Sequence, residues 1–376
     1  MKVKIIGAGP CGSIAAISAL NAGHEIEVFE EHEKAGYPQH CSGLISKEAL
    51  GSLSDFVDYK KYIINRINVA LFDFGGESFE IRRKEETSFL INRAEFDYAL
   101  AQKAESDGAK FFYGKKYIHN GADVGTNMCG GGTETQNSEP QAIIGADGAF
   151  SSIAHHFKFP KIEKFAFTLK TKIKTDITEK NKVFLFYDNK SFPGFFGWLI
   201  PHNEEEAEIG MGTLKPELMN KGFRDLIKKI NAKFHKPKFS TNFSGKIIPL
   251  ALRKKITYVS GKTNVLLVGD AAGQVKSSSG GGIVFGTAGA RLAGLFVHAP
   301  HQYELVWKRE NEKDVIAHMF LQNFFAFQPN CLLRLTAKVS KAFGLNHLLS
   351  LYGNMDRPTK ILKPNRGEGF APSKTG

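Results

Sequence analysis

At 376 residues, 42% hydrophobic and 23% charged, the chain has an ordinary globular composition, which sets aside disordered, collagenous and disulfide-scaffold classes and leaves room for two domains or one elaborate one. The formal net charge of +12 favours an anionic partner, yet the lysines are spread along the chain without a compact basic stripe or nucleic-acid motif, so solvated surface lysines explain the charge equally well and no nucleic acid is expected. Cys11, Cys41, Cys129 and Cys331 match no zinc spacing and no disulfide framework, so no metal is expected and the compartment reads as reducing and cytoplasmic.

The start Met1-Lys2-Val3-Lys4 imitates a signal peptide, but Gly7, Gly9, Pro10 and Gly12 interrupt the apolar run. A strand, turn and helix fit better. Residues 2–6 form a short buried strand, 12–22 a small-residue helix ending at Gly23, and 25–30 a second, alternating strand. Loop and short helix fill 31–60. Residues 66–91 alternate as two or three antiparallel strands. Residues 92–107 read as a helix with Asn92 as N-cap. Residues 119–141, rich in Gly, Thr, Asn and Gln, read as a loop. Buried strands are expected at 142–146 and 264–268, and an aromatic-rich antiparallel sheet over 164–213. Residues 282–298 and 302–352 read as helical, and the last twenty or so as poorly ordered. No run of 18 apolar residues occurs, so contact with a membrane would be peripheral.

The first strand runs into Gly7-Ala8-Gly9-Pro10-Cys11-Gly12, a G-x-G-x-x-G turn. Its glycines permit a tight turn and close approach of a pyrophosphate to the helix N-terminus. Alone the pattern is weak, and its bland reading is a structural turn. Here a strand precedes it, a helix follows, and Glu30 closes the next strand eighteen positions on, placed for a ribose hydroxyl. Gly7, Gly9, Cys11, Gly12 and Glu30 are therefore candidate dinucleotide-binding residues.

Two later segments narrow the nucleotide. Ile144-Gly145-Ala146-Asp147-Gly148 and Val268-Gly269-Asp270-Ala271-Ala272-Gly273 resemble the DG and GD segments of the FAD-dependent oxidoreductases that include the para-hydroxybenzoate hydroxylase-like enzymes. Four further features resemble the geranylgeranyl reductase family, whose archaeal members saturate isoprenoid chains of membrane lipids. They are the loop Gly36-Tyr37-Pro38-Gln39-His40-Cys41-Ser42-Gly43; Phe196-Gly197-Trp198-Leu199-Ile200-Pro201 followed by Gly210-Met211-Gly212; the triplet Gly280-Gly281-Gly282 before Ile283; and Asn92-Arg93-Ala94-Glu95-Phe96-Asp97. The resemblance covers roughly residues 3–300.

What the resemblance implies is an α/β fold of mixed α+β character. A Rossmann-like FAD-binding domain would comprise 1–65, 92–155 and 258–300. An antiparallel-sheet substrate domain would comprise 66–91 and 160–257, and 301–376 would be a helical C-terminal region. Asp270 would meet the ribityl chain and Arg93 would contact FAD. Cys41, Ser42 and Gly43 would lie against the flavin, with Gly282 and Ile283 bringing backbone close to its ring. Phe196, Trp198 and Pro201 would wall a substrate pocket. Asp147 is partly structural in the family. One departure is Ser277-Ser278-Ser279, where the family usually carries proline, and it predicts a looser loop over the flavin.

Each residue has a bland alternative. Cys41 reads either as a small buried hydrophobe or as an active-site thiol that packs on the flavin, bonds to it or supplies a proton. Trp198 reads as core or pocket wall, and His40 as a solvated loop histidine or a general acid. The implied activity is FAD-dependent saturation of isoprenoid C=C bonds at a membrane surface. A ferredoxin-like carrier or transient NAD(P)H would supply electrons, because no second G-x-G-x-x-G follows a strand. Two other readings stay open: an FAD monooxygenase or epoxidase of an apolar substrate, and a flavin- or lipid-binding protein whose catalysis has decayed.

Overall fold

The computed structural model describes residues 1–117 and 140–362. The expected loop at 119–141 lies outside the described residues up to residue 139; of the last twenty or so residues expected to be poorly ordered, Pro358–Leu362 forms a short 3-10 helix and those after 362 lie outside the described residues.

The β-branched run Lys2–Ile6 is the centre of a six-stranded sheet. It pairs in parallel with Glu25–Phe29 on one side and Ala142–Gly145 on the other. Lys110–Phe112 extends the first side. Thr263–Leu267 extends the second and turns back through the antiparallel edge strand Thr257–Ser260. Parallel strands covered by helices are apolar on both faces, and Val3, Ile5, Ile26, Val28, Ile144 and Leu266 are all buried. Helices Pro10–Asn21, Arg93–Ser106 and Ile283–Leu295 pack around this core. As expected, Asn92 caps the second of these, its side chain accepting from Glu95 N at 3.4 Å.

The second, eight-stranded sheet is mostly antiparallel, apart from the parallel pair Val69–Asp73 and Lys182–Phe186. Its long strands are Phe165–Lys174, Gly197–Pro201 and Glu206–Thr213. Alternation divides it by face. Phe184, Phe186, Leu199, Ile209 and Met211 point to a core closed by helix Met219–Lys233. Val183, Leu185, Phe196, Trp198 and Ile200 point the other way, toward the parallel-sheet unit.

Residues 66–91 do not form one unit. Val69–Asp73 and Ser78–Arg82 join the large sheet, while Leu44–Ser46, Ile63–Ile67 and Ser88–Ile91 make a separate three-stranded sheet. The residues of this small sheet divide between two cores, Ile45, Phe89 and Ile91 joining that of the parallel sheet and Leu44, Ile67 and Leu90 that of the large sheet.

The C-terminal helices Pro300–Phe327, Asn330–Ala342 and Leu345–Tyr352 are anchored, not appended. Tyr303 Oη donates to Leu267 O at 2.7 Å and receives Gln274 Nε2 at 3.0 Å, while Gln274 Oε1 accepts from Gly269 N at 2.8 Å. Trp307 Nε1 donates to Phe285 O at 3.1 Å. The first turn after strand Thr263–Leu267 is therefore braced by the helix that follows much later in the chain.

Candidate active site

The glycine turn is set by backbone contact. A Cβ at Gly12 would lie 1.8 Å from Gly7 O, whereas one at Gly9 would meet nothing within 4 Å. Gly12 is thus needed for the turn itself, and Gly9 leaves bare backbone facing open space. Helix Pro10–Asn21 begins there with no side-chain cap and no acidic residue in its first turn. Its N–H groups and positive dipole end remain available to an anion.

Glu30 is buried at this turn. Its Oε2 accepts from Ala8 N at 2.7 Å, and its Oε1 accepts from His32 N at 3.0 Å and lies 2.6 Å from His32 Nδ1. A ribose hydroxyl reaching it would have to displace His32. Cys11 turns inward, its Sγ lying 2.8 and 2.9 Å from where Cβ atoms would stand on Gly269 and Gly286. Burial pushes its thiol up to about 12, so it packs as a neutral group.

A cavity of about 2030 Å³ runs from this turn across to the large sheet. Gly9, Cys11, Cys41, Ser42, Arg93, Asp270, Gly282, Ile283, Phe196 and Trp198 all line it. Gly7, Gly12, Glu30, Gly43 and Pro201 do not. Pro201 ends its strand outside the cavity, with its carbonyl accepting from Asn65 Nδ2 at 2.9 Å, so it ties the large sheet to the small one instead of walling a substrate. Gly43 holds the loop: its N donates to Cys41 Sγ at 3.4 Å and its O accepts from Ile91 N at 3.0 Å.

Charged groups gather at the cofactor end. Arg93 forms a buried two-point bridge to Asp97, Nε–Oδ1 2.9 Å and Nη2–Oδ2 2.8 Å. Asp270 sits beside Gly282, where a Cβ would lie 3.0 Å from its Oδ1, and pairs with Lys246 at 3.0 Å. The Asp270 carboxylate raises the Lys246 ammonium above its ordinary range. Asp147 caps the short helix Ser152–His156, accepting from Ser152 Oγ at 2.9 Å and Ile153 N at 3.2 Å, while its Oδ1 is buried with no donor. His40 is exposed at the cavity edge, and burial of its ring, then Lys246 nearby, lowers its pKa below 6.5. Its exposure at the rim favours the bland reading, a solvated loop histidine.

A buried polar relay links the two walls. Trp198 Nε1 donates to Glu208 Oε1 at 3.1 Å, Lys170 Nζ pairs with Glu208 Oε2 at 2.7 Å, and the same ammonium donates to Cys41 O at 3.0 Å. Gln39 Nε2 also donates to that carbonyl, at 3.1 Å. The Gly-x-Gly element acquires a physical reason here, because a Cβ at Gly210 would lie 2.3 Å from Trp198 Cζ2. Gly210 is the flat seat of the indole. Sequence reading missed Lys170 and Glu208. The available signal was charge at alternate positions of otherwise apolar strands.

The triple serine does not loosen its loop. Ser277 Oγ donates to Leu250 O at 3.0 Å, Ser278 Oγ lies 2.7 Å from His318 Nδ1, and Lys276 N donates to Gly281 O at 2.9 Å. Lys276 Nζ forms a buried ion pair with Asp356 at 2.6 Å, and Ser46 Oγ donates to the same carboxylate. Hydroxyl bonds do here what proline does elsewhere by restricting the backbone.

His318, buried in this cluster, has its pKa pressed down to about 4 by desolvation. Below pH 6.5 the unfolded chain gains a proton that folded His318 refuses, so stability falls from pH 6.5 to about 4 and the loss levels off beneath that. The cost reaches about 3 kcal/mol at most. His318→Asn is expected to flatten this part of a melting-temperature profile, and an unchanged slope would remove His318 as its source.

The uncapped helix start, the bare backbone at Gly9, the orphaned Asp147 Oδ1 and a single space extending to Asp270 and Gly282 suit a long dinucleotide with a ribityl chain. The family described as FAD binding domain matches residues 1–290. The chain belongs to that family. Its cofactor is FAD, and it is an FAD-dependent oxidoreductase.

This flavoprotein is 28% identical to a geranylgeranyl diphosphate reductase of Rhodobacter capsulatus, over 77% of this chain and 73% of that protein. It is 27% identical to a digeranylgeranylglycerophospholipid reductase of Methanocella arvoryzae, over 78% and 76% respectively. An uncharacterised protein of Methanocaldococcus jannaschii is 28% identical over 98% of this chain and 96% of its own. The fold is shared with a geranylgeranyl bacteriochlorophyll reductase-like protein of Thermoplasma acidophilum, with a TM-score of 0.76 at 17% identity over 96% of this chain and 98% of that one. The relatives' names agree with the family resemblance read from the motifs.

Proposed function

We propose that this flavoprotein saturates C=C bonds of geranylgeranyl-type isoprenoid chains in a membrane lipid or prenyl diphosphate, working at a lipid surface. The observation that carries this reading is the continuity of the cavity. The wall that receives FAD, from Gly9 to Asp270 and Gly282, shares one space with an apolar wall of Leu185, Phe196, Trp198 and Ile248. Reduced FAD, when bound, would supply a hydride to one carbon, and the other carbon takes a proton, from water or from the Cys41 thiol.

The chain's own residues do the rest. Phe196 and Trp198 exclude water and hold an extended apolar chain. The Trp198–Glu208–Lys170 relay fixes the carbonyl of Cys41, which keeps the thiol loop facing the cavity. Cys41 is the candidate for the group beside the reacting carbons. Asp270 and Arg93 position the cofactor.

Trp198→Ala is expected to keep its FAD but lose about tenfold to a hundredfold in turnover of a long prenyl substrate, the scale of one large apolar contact plus a bond to Glu208. Unchanged turnover would take Trp198 out of the pocket. An oxygen electrode tests the reaction class. The reductase forms product without consuming O₂, whereas stoichiometric uptake would mark an FAD monooxygenase.

A further inference from the structure

We propose that the outer face of the three C-terminal helices seats on an anionic bilayer, and that the isoprenoid chain enters the cavity directly from that bilayer. The route of entry rests on the reductase reading, but the docking does not.

Helix Asn330–Ala342 is apolar on two sides. Leu333 and Ala337 are buried against the protein. Leu332, Leu335 and Val339 face solvent and continue to Phe343, which is 85% exposed. Their spacing of three, four and four residues is one stripe of a helix. Water gives no reason for this second stripe. The helices before and after it add further exposed apolar side chains, Phe320 at 69% and Phe327 at 78%, then Leu348 and Tyr352. Exposed large apolar side chains gathered in this number on successive helices mark an interaction surface.

Charge identifies the partner. Residues 315–355 contain no Asp or Glu, and their only Lys or Arg residues are Arg334, Lys338 and Lys341. Lys338 meets Glu77 of the neighbouring hairpin at 3.3 Å, but the apolar stripe itself carries no acid, and an apolar face flanked by Arg334 and Lys341 suits anionic headgroups over acyl chains. A second copy would bring the same sign of charge to this face. Among the described residues no helix is long and apolar enough to cross a membrane, so the face lies on the surface.

The cavity opens on the same face. Ile316, Phe320, Leu351 and Met355 line it and are themselves exposed, so they form its mouth. From that end Phe325, Tyr187 and Phe196 stand ring against ring at 5.4 and 5.5 Å along the lining, a route for a chain leaving the acyl layer toward Trp198.

The test uses full-length, FAD-loaded protein. It is floated with vesicles of mixed phosphatidylglycerol and phosphatidylcholine, and separately with pure phosphatidylcholine. The expected result is binding to the anionic vesicles that weakens with salt. Leu335→Ser/Val339→Ser/Phe343→Ser, outside the cavity lining, is expected to weaken that binding about tenfold or more. It keeps its flavin, its elution volume and its turnover of a detergent-dispersed prenyl lipid, and it loses turnover of the same lipid in vesicles. Failure of the parent protein to bind either vesicle, or equal binding by the variant, overturns the docking. A parent dimer that the variant converts to monomer, without vesicle binding, makes the face a self-association surface and also overturns it. Equal loss of turnover in detergent and vesicles overturns the entry route.

Discussion

Gly9→Ala is expected to fold with the stability of the parent apoprotein and to fail to retain FAD, whereas Gly12→Ala is expected to lose both stability and FAD. The contrast follows from what a methyl group meets. At Gly12 it would stand 1.8 Å from Gly7 O and 3.0 Å from Gly7 C. Those atoms cannot retreat, because Gly7 N donates to Phe29 O at 2.8 Å across the central parallel pair. Overpacking against fixed backbone costs about 1–3 kcal/mol or more. At Gly9 the methyl meets no protein atom within 4 Å. That space is the pyrophosphate's in our account, so the apoprotein is indifferent and the cofactor is not. Thermal melts of the flavin-stripped proteins and flavin titration separate the two effects. Parent-like FAD affinity in Gly9→Ala would place the pyrophosphate elsewhere.

Glu208→Ala is expected to be the most damaging single change on the substrate side. It leaves the buried Lys170 ammonium without its carboxylate and the Trp198 indole N–H without an acceptor. Stranding one member of a buried pair costs about 3–5 kcal/mol. Replacing both charges, as Lys170→Met/Glu208→Leu, is expected to recover the part of that stability lost to the unpaired ammonium in denaturant unfolding, while the indole N–H stays without its acceptor. The double variant still lacks the ammonium that holds Cys41 O at 3.0 Å, so turnover stays low while FAD content is normal. Recovery of turnover along with stability would show that the relay only stabilises the fold and does not position the Cys41 loop.

The cofactor half was legible because its signals are local. Strand Lys2–Ile6, the turn at Gly7–Gly12, Asn92 before its helix and the Gly269-Asp270 turn each declare themselves within a few residues. The small sheet was not legible, because Leu44–Ser46, Ile63–Ile67 and Ser88–Ile91 come from separate segments and look like ordinary strands of a larger sheet. Glu30 was correctly placed at the end of its strand, but periodicity says nothing of His32 occupying its carboxylate. Pro201 shares a motif with Trp198 yet lies beyond the cavity, since a motif need not put all its residues on one face. The loop around Ser277–Ser279 was expected to be loose because proline is missing. Its restraint comes from Leu250, His318 and Asp356, residues distant in sequence.

The central claim is that one cavity brings FAD and an isoprenoid double bond together. It is tested most directly without oxygen. The protein's flavin is reduced with dithionite, geranylgeranyl lipid or geranylgeranyl diphosphate is added, and the oxidised-flavin absorbance and the product mass are followed together. Our account predicts return of the oxidised band with a gain of two hydrogens for each bond saturated. A flavin that stays reduced until air is admitted, with substrate mass unchanged, would contradict it.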